Sequence, residues 1–293
     1  MNKKIAVTGA NGMTGSHTVK LLQREGVCVK PLTRLEWDLA NWKSFDELDH
    51  IFNSVEAVFH FGAQITYKSL QNNNQKSQKL FDTNVRSCLN LAEWANLRNI
   101  PIVFLSSAVV YGNPHLPSIT ENSPKATNDL GGIYGYSKIL AEDIFNYLSE
   151  QGLKCVILRP TSLYGFGLPH DKLIQKYIDI ASLDGTIKVT GPRNKINFIH
   201  AYDVADAALK AFRSKSWGIY NIASDGLSSI LEVAETAISI ANKGKIKIIE
   251  DANSKYFERF DLNPLLANKS FAFRTKIDLY KGMTMMSQKE FLP

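Results

Sequence analysis

Cysteine is scarce in this 293-residue chain: Cys28, Cys88 and Cys155 lie far apart and are odd in number. That excludes a disulfide framework, and because each falls in an apolar run, all three are expected to be buried thiols in a reducing cytoplasm. The six histidines are scattered without the spacing of metal ligands, so no metal is expected. No stretch of about 18 apolar residues occurs, which excludes a membrane-spanning helix. Met1-Asn2-Lys3-Lys4 runs straight into the first apolar segment, leaving no room for a signal or transit peptide and predicting a cytoplasmic location. The charge excess is small, with a net +6, and the basic residues are dispersed. Their tightest cluster, Lys243, Lys245 and Lys247, alternates with Ile246 and Ile248 like the wet face of a strand. No nucleic-acid partner is expected, whereas a site holding two diphosphates also suits a basic balance; charge alone does not choose. Internal repeats and low-complexity linkers are absent apart from the polar loop 71–75.

What is present is a 44% hydrophobic content, enough to fill the core of one large or two intimately joined α/β domains. Short β-rich runs at 4–8, 28–32, 57–61, 102–106 and 154–158 alternate with helical patterns near 14–25, 44–53, 78–98 and 134–151. This alternation predicts an α/β fold with a Rossmann-type doubly wound parallel sheet. Past residue 165 turns recur, followed by helical runs at 201–212 and 230–241 and a strand at 218–222. Residues 1–163 and 197–216 are expected to form the nucleotide-binding domain. Residues 164–196 and 217–293 would form a smaller C-terminal α/β substrate-binding part, with the active site in the cleft between them.

The organising segment is Ile5-Ala-Val-Thr-Gly-Ala-Asn-Gly-Met-Thr-Gly15, an apolar run, a turn with glycines at 9, 12 and 15, then a helical pattern. Such a turn aims backbone N–H groups and the positive end of a helix dipole at one point, which suits a pyrophosphate. Gly9 permits the turn, Gly12 lets the backbone approach phosphates and Gly15 lets the helix lie against the sheet. The alternative is an ordinary turn into a helix. The second run ends on Thr33-Arg34 with no acidic residue to hold a ribose 2′-OH. A guanidinium there can pair with a 2′-phosphate, so NADP(H) is preferred and NAD(H) stays possible; a solvated arginine at a strand end is the other reading. Asp38 can accept from the adenine amino group with Leu39 beside the ring, or simply form a turn.

Ser106 and Ser107 stand just past the fourth apolar run, where ligands collect in an open α/β sheet. Farther on, Tyr134 and Lys138 are i and i+4 on a helical pattern and share a face. A nearby ammonium stabilises phenolate, lowering a tyrosine from about 10 towards neutrality and making Tyr134 a general acid or base. Ser107 would hold the reacting oxygen.

In these segments the chain resembles the extended short-chain dehydrogenases/reductases of the NAD-dependent epimerase/dehydratase family. Matching stretches include Thr8-Gly9-x-x-Gly12-x-x-Gly15, His60-Phe61-Gly62-Ala63, Asn84-Val85, Ser106-Ser107-Ala108-x-Val110-Tyr111-Gly112, Tyr134-x-x-x-Lys138, Arg159-Pro160 and Phe198-Ile199-His200. The resemblance implies an NAD(P)-dependent enzyme acting on a nucleotide-sugar, with a homodimer built on helices near 78–98 and 134–151. It implies that Asn11, Met13 and Thr14 line the pyrophosphate and that Phe61, Gly62 and Ala63 border the cofactor. It places Asn84 and Lys138 by the nicotinamide ribose, and Pro160 and Thr161 near the nicotinamide. Two departures stand out: Ser162 where many members carry Asn, and Ile196 where many carry a phosphate-clamping Arg, for which Arg193 or Lys195 could substitute. Ala108 and Val109 replace the acids with which dehydratases eliminate water. The expected function is reduction of a keto-sugar nucleotide of the 4-keto-6-deoxyhexose type. The alternatives are a nucleotide-sugar 4-epimerase, a reductase of a non-sugar ketone and a cofactor-sensing regulator. Residues 251–293 carry no readable motif.

Overall fold

The computed structural model describes residues 4–65, 74–250 and 255–293, so part of the polar loop 71–75 lies outside the described residues. Strands β1 (Lys4–Thr8), β2 (Val29–Leu32), β3 (Val55–His60), β4 (Ile102–Leu105) and β5 (Cys155–Pro160) form a parallel sheet with the strand Gly218–Ile222. From one edge the order is 218–222, β5, β4, β3, β1, β2. The chain leaves β1 for β2 on one side and returns to β3 on the other, so the switch point of the sheet lies between β1 and β3.

Alternation along each strand sends its side chains to opposite faces. Ile5 and Val7 pack on one face with Leu22, Val204 and Ala208. Ala6 packs on the other with Leu91, Phe104 and Phe145. The first face is covered by α1 (Met13–Arg24) and the helix Ala201–Arg213. The second carries α2 (Phe45–Ile51), α4 (Ser87–Arg98) and α5 (Gly132–Glu150). The helical pattern expected near 78–98 divides into α3 (Asn74–Phe81), one π turn at Asp82–Arg86, and α4. Cys88 and Cys155 are buried, but Cys28 is exposed: β2 begins one residue later, at the sheet edge.

The smaller part has its own core, in which helices Leu173–Ser182, Ile230–Ala241 and Leu279–Ser287 close on the paired strands Thr186–Thr190 and Lys245–Ile249. Lys245 and Lys247 are exposed, but the alternation with isoleucine holds only in part, since Ile246 is half-buried and Ile248 is exposed as well. The strand at 218–222, which the sequence reading assigned to the smaller part, lies in the main sheet. Strand 218–222 pairs with β5, whose six residues are all buried and would otherwise leave an open edge. Phe271 of the helix Leu265–Phe271 then packs edge-on against Tyr220, so this segment too belongs to the sheet layer. No helix among the described residues is long and apolar enough to cross a membrane.

Candidate active site

A cleft of about 1380 Å³ runs along the carboxyl ends of the sheet strands and on under the smaller part. Its first wall is the glycine turn. Gly9 has φ +66°, and a Cβ there would come within 2.7 Å of Gly62 Cα across the switch point. A Cβ on Gly15 would lie 2.1 Å from the Gly9 carbonyl oxygen, so only glycine lets α1 start this close to the turn. The turn is tied to β3 by Thr8, whose hydroxyl accepts from the N–H groups of Phe61 and Gly62, both at 3.1 Å, and contacts His60 Nδ1 at 2.9 Å. Helix α1 has neither a side-chain cap nor an acidic residue in its first turn. Its positive end and the N–H groups beside it are therefore left to the cleft, which fits the pyrophosphate of a dinucleotide.

The cleft floor lies past β4. Ser107 is extended and caps a short helical turn at 108–110, its Oγ accepting from Val109 N at 3.4 Å. Because the oxygen only accepts there, the hydroxyl proton is left to donate elsewhere. Helix α5 starts against this turn because Gly131 and Gly135 carry no side chain: a Cβ on either would lie 3.1 Å from Val109. Asn128 fastens the approach, donating to Val109 O and Tyr111 O and accepting from Leu130 N and Gly131 N. Tyr134, 6% exposed, and Lys138, 3% exposed, thereby reach the same cleft as Ser107. Lys138 Nζ lies 5.9 Å from the Tyr134 ring centroid and 4.5 Å from that of Phe104, and donates to Leu105 O at 2.7 Å.

Burial pushes the Lys138 ammonium down to about 8, against the opposing pull of Cys88 and Glu142. Between about pH 8 and the ordinary lysine value near 10.4, the unfolded chain keeps this proton and the folded chain releases it. Stability from this group is thus present at high pH and is lost as pH falls through about 8. Cofactor-free protein should gain stability relative to Lys138→Met as pH rises across that window. Urea midpoints that keep a constant difference would show that the amine is not desolvated.

Of the other expected residues, Gly9, Asn11, Gly12, Met13, Thr14, Gly15, Arg34, Asp38, Leu39, Phe61, Gly62, Ala63, Ser106, Thr161 and Ser162 line the cleft. Some are committed internally. Ser106 donates to Glu142 Oε1 at 2.5 Å, and Thr161 donates to Asn197 Oδ1 at 2.8 Å. Asp38 Oδ1 accepts from Ala40 N, so the carboxylate does form a turn while facing the cleft.

Asn84 and Pro160 are not among the lining residues. The Asn84 amide accepts from Gln64 N and donates to Gln64 O and Ser137 Oγ, so it braces the loop after β3 against α5. Arg193 and Lys195 also stand away from the cleft. Arg193 is exposed, and Lys195 lies 3.3 Å from Glu258. Arg259, which sequence reasoning missed, lines the cleft on that side. Strand Glu258–Arg259 pairs in parallel with Lys195–Ile196, setting Arg259 directly beside the Ile196 that lacks a guanidinium. Arg259 Nε is buried without a hydrogen-bond partner among the described residues. No local signal marked this arginine, because the pairing joins segments far apart in sequence.

A model of the NAD dependent epimerase/dehydratase family matches residues 5–223. The UDP-glucose 4-epimerase of Dictyostelium discoideum is 30% identical over 285 residues, covering 80% of each chain. UDP-glucuronic acid decarboxylase 6 of Arabidopsis thaliana is 25% identical over 308 residues, covering 98% of this chain and 88% of its own. In fold, the chain is similar to the UDP-N-acetylglucosamine 4-epimerase of Bacillus cereus, with TM-score 0.81, 24% identity and coverage of 98% and 96%. It is equally similar to the Thermus thermophilus UDP-glucose 4-epimerase solved with NAD, with TM-score 0.81, 21% identity and 98% of both chains covered. With three quarters of its length inside the family model and its glycine turn, Ser107, Tyr134 and Lys138 gathered on one cleft, the chain belongs to the NAD dependent epimerase/dehydratase family.

Proposed function

We propose that the chain epimerises a hydroxyl-bearing carbon, C4, of a nucleoside-diphosphate sugar. The observation that carries this reading is the composition of the cleft floor: Ser107, Tyr134 and Lys138 meet there, and the positions after Ser107 are Ala108 and Val109. Elimination of water needs further acids on that turn; epimerisation needs only the proton-transfer set. A bound nicotinamide dinucleotide supplies a hydride acceptor that can later return the hydride. The turn with Gly9, Asn11, Gly12, Met13, Thr14 and Gly15 would hold its pyrophosphate, with Asp38, Leu39, Phe61, Gly62 and Ala63 along the adenosine half and Thr161 near the nicotinamide.

Tyr134 takes the proton from the sugar hydroxyl as its carbon is oxidised and gives it back on reduction. Ser107 donates to the same oxygen and keeps it in place. The Lys138 ammonium favours the phenolate form. Arg259, half-buried and with an unpaired Nε, is the cation for the sugar's diphosphate in place of Arg193 or Lys195. Leu97 on α4 and Tyr147 on α5, 62% and 61% exposed, support the expected homodimer, with a second copy covering that helix pair.

One observation favours NADPH-dependent reduction of a keto-sugar nucleotide instead. Arg34 is exposed at the tip of β2 and lines the cleft, while Glu36 is turned back to accept from Thr33 N at 2.6 Å and Thr33 Oγ1 at 2.7 Å. A free guanidinium there suits a 2′-phosphate. The two readings separate on incubation with UDP-, dTDP-, GDP- and CDP-sugars. Interconversion without added cofactor, by protein that purifies with NAD⁺, supports the epimerase. Stoichiometric NADPH consumption supports the reductase, and Arg34→Ala should then weaken NADPH about tenfold or more while sparing NADH. If no nucleotide-sugar is bound or turned over, both readings fall.

A further inference from the structure

The π turn at Asp82–Arg86 had no counterpart in the sequence pattern, and its consequences reach the cleft. A π turn admits one extra residue and rotates the side chains around it, and such widenings gather at functional sites. Here Thr83, Asn84 and Val85 all point inward. Asn84 is fully used in bracing Gln64 and Ser137, and Ser137 in turn donates to Tyr134 O at 2.7 Å. The Thr83 carbonyl is used as well, accepting from Ser87 Oγ at 2.5 Å.

The Thr83 hydroxyl is the exception. The residue is 8% exposed and lines the cleft, and its Oγ1 has no hydrogen-bond partner among the described residues. Four other hydroxyls along the cleft are spent within the protein: Thr8 on the loop after β3, Thr33 on Glu36, Ser106 on Glu142 and Thr161 on Asn197. A buried hydroxyl without a partner is destabilising, and valine would fill the same volume without that cost. Its place on the cleft puts it within reach of a bound molecule, while no described residue satisfies it.

We propose that Thr83 is a ligand-contacting residue whose Oγ1 hydrogen-bonds a hydroxyl of the molecule bound in the cleft, the sugar of the substrate. The inference rests on reading the cleft as a nucleotide-sugar site. A ribose hydroxyl of the cofactor is the other source of the same chemistry. A hydroxyl–hydroxyl bond of this kind needs no change of charge, so its loss acts on affinity and leaves the acid–base step to Tyr134.

The test compares Thr83→Val and Thr83→Ser with the parent protein by thermal unfolding and by titration. The probes are NADH and NADPH, then UDP-, dTDP-, GDP- and CDP-glucose with cofactor present. Without ligand, Thr83→Val should unfold at the parent temperature or above. Its affinity for the bound nucleotide-sugar should fall about threefold to tenfold with kcat little changed, while Thr83→Ser stays within about twofold of the parent. If affinity for the cofactor falls instead, the contact is to its ribose and the assignment of Thr83 stands. The proposal is overturned if Thr83→Val leaves both affinities unchanged, or if it lowers the ligand-free unfolding temperature without altering either. If the parent binds cofactor but no nucleotide-sugar, the substrate reading fails separately, and an unchanged cofactor affinity in Thr83→Val then overturns the inference about Thr83.

Discussion

Tyr134→Phe should lower kcat by about 10²–10⁴-fold while cofactor affinity changes by less than about tenfold. The substitution removes one oxygen and keeps the ring that fills its place, 6% exposed, between the 108–110 turn and the body of α5. What it takes away, on the proposed reading, is the titratable hydroxyl that exchanges a proton with the ligand oxygen. Lys138 cannot take over, because its amine is drawn back against the Leu105 carbonyl and the Phe104 ring. Ser107 cannot either, since a serine hydroxyl does not titrate in the range where the exchange must run. Single-turnover kinetics, with cofactor binding followed by fluorescence, separate loss of chemistry from loss of binding. Turnover unaffected by the change would remove Tyr134 from the reaction.

Arg159→Met should destabilise the protein by about 3–5 kcal/mol, because it leaves the buried Glu142 carboxylate with only the more distant Lys125 ammonium, 3.5 Å away, for a cation. Arg159, 2% exposed, meets Glu142 in a two-pronged pair, Nε to Oε1 at 2.9 Å and Nη2 to Oε2 at 2.7 Å. Its third nitrogen donates to the Tyr111 hydroxyl and the Glu121 carbonyl, and Tyr111 passes its own proton to Asn221 Oδ1. Ser106 completes the set from the end of β4 by donating to Glu142. The network therefore joins the end of β4, α5, β5 and the strand 218–222, and reaches Ser106, one residue before Ser107 in the chain. Its loss should lower the melting temperature by roughly 6–20 °C, since each kcal/mol moves a chain of this size by about 2–4 °C. The paired change Glu142→Leu/Arg159→Met should recover part of that loss, because it removes the under-paired carboxylate along with its main partner. A single variant that melts with the parent protein would show that the pair contributes nothing.

The wide division of labour in the fold was legible in local pattern. A strand, a glycine turn and a helix can be read in residues 4–24 because each depends on near neighbours: apolar alternation, the positive φ of Gly9 and a helix without an acidic first turn. Tyr134 and Lys138 were legible for the same reason, as four residues of helix bring them to one face. Ser107 followed from its place just beyond a strand end.

What sequence order could not express was pairing across distance and the way side chains are consumed. Arg259 reached the cleft by strand pairing with Ile196, and strand 218–222 joined the main sheet because the buried β5 requires a neighbour on that edge. Asn84 was drawn away from the cleft and Thr83 turned towards it by a single π turn that no residue pattern announces. Sequence by itself determined the class of sheet, the glycine turn into α1 and the shared helical face of Tyr134 and Lys138, since those are set within a few residues of chain. Tertiary structure alone decided which polar groups remain free to meet a ligand, because a hydrogen bond made inside the protein depends on partners that the chain brings together only when it folds.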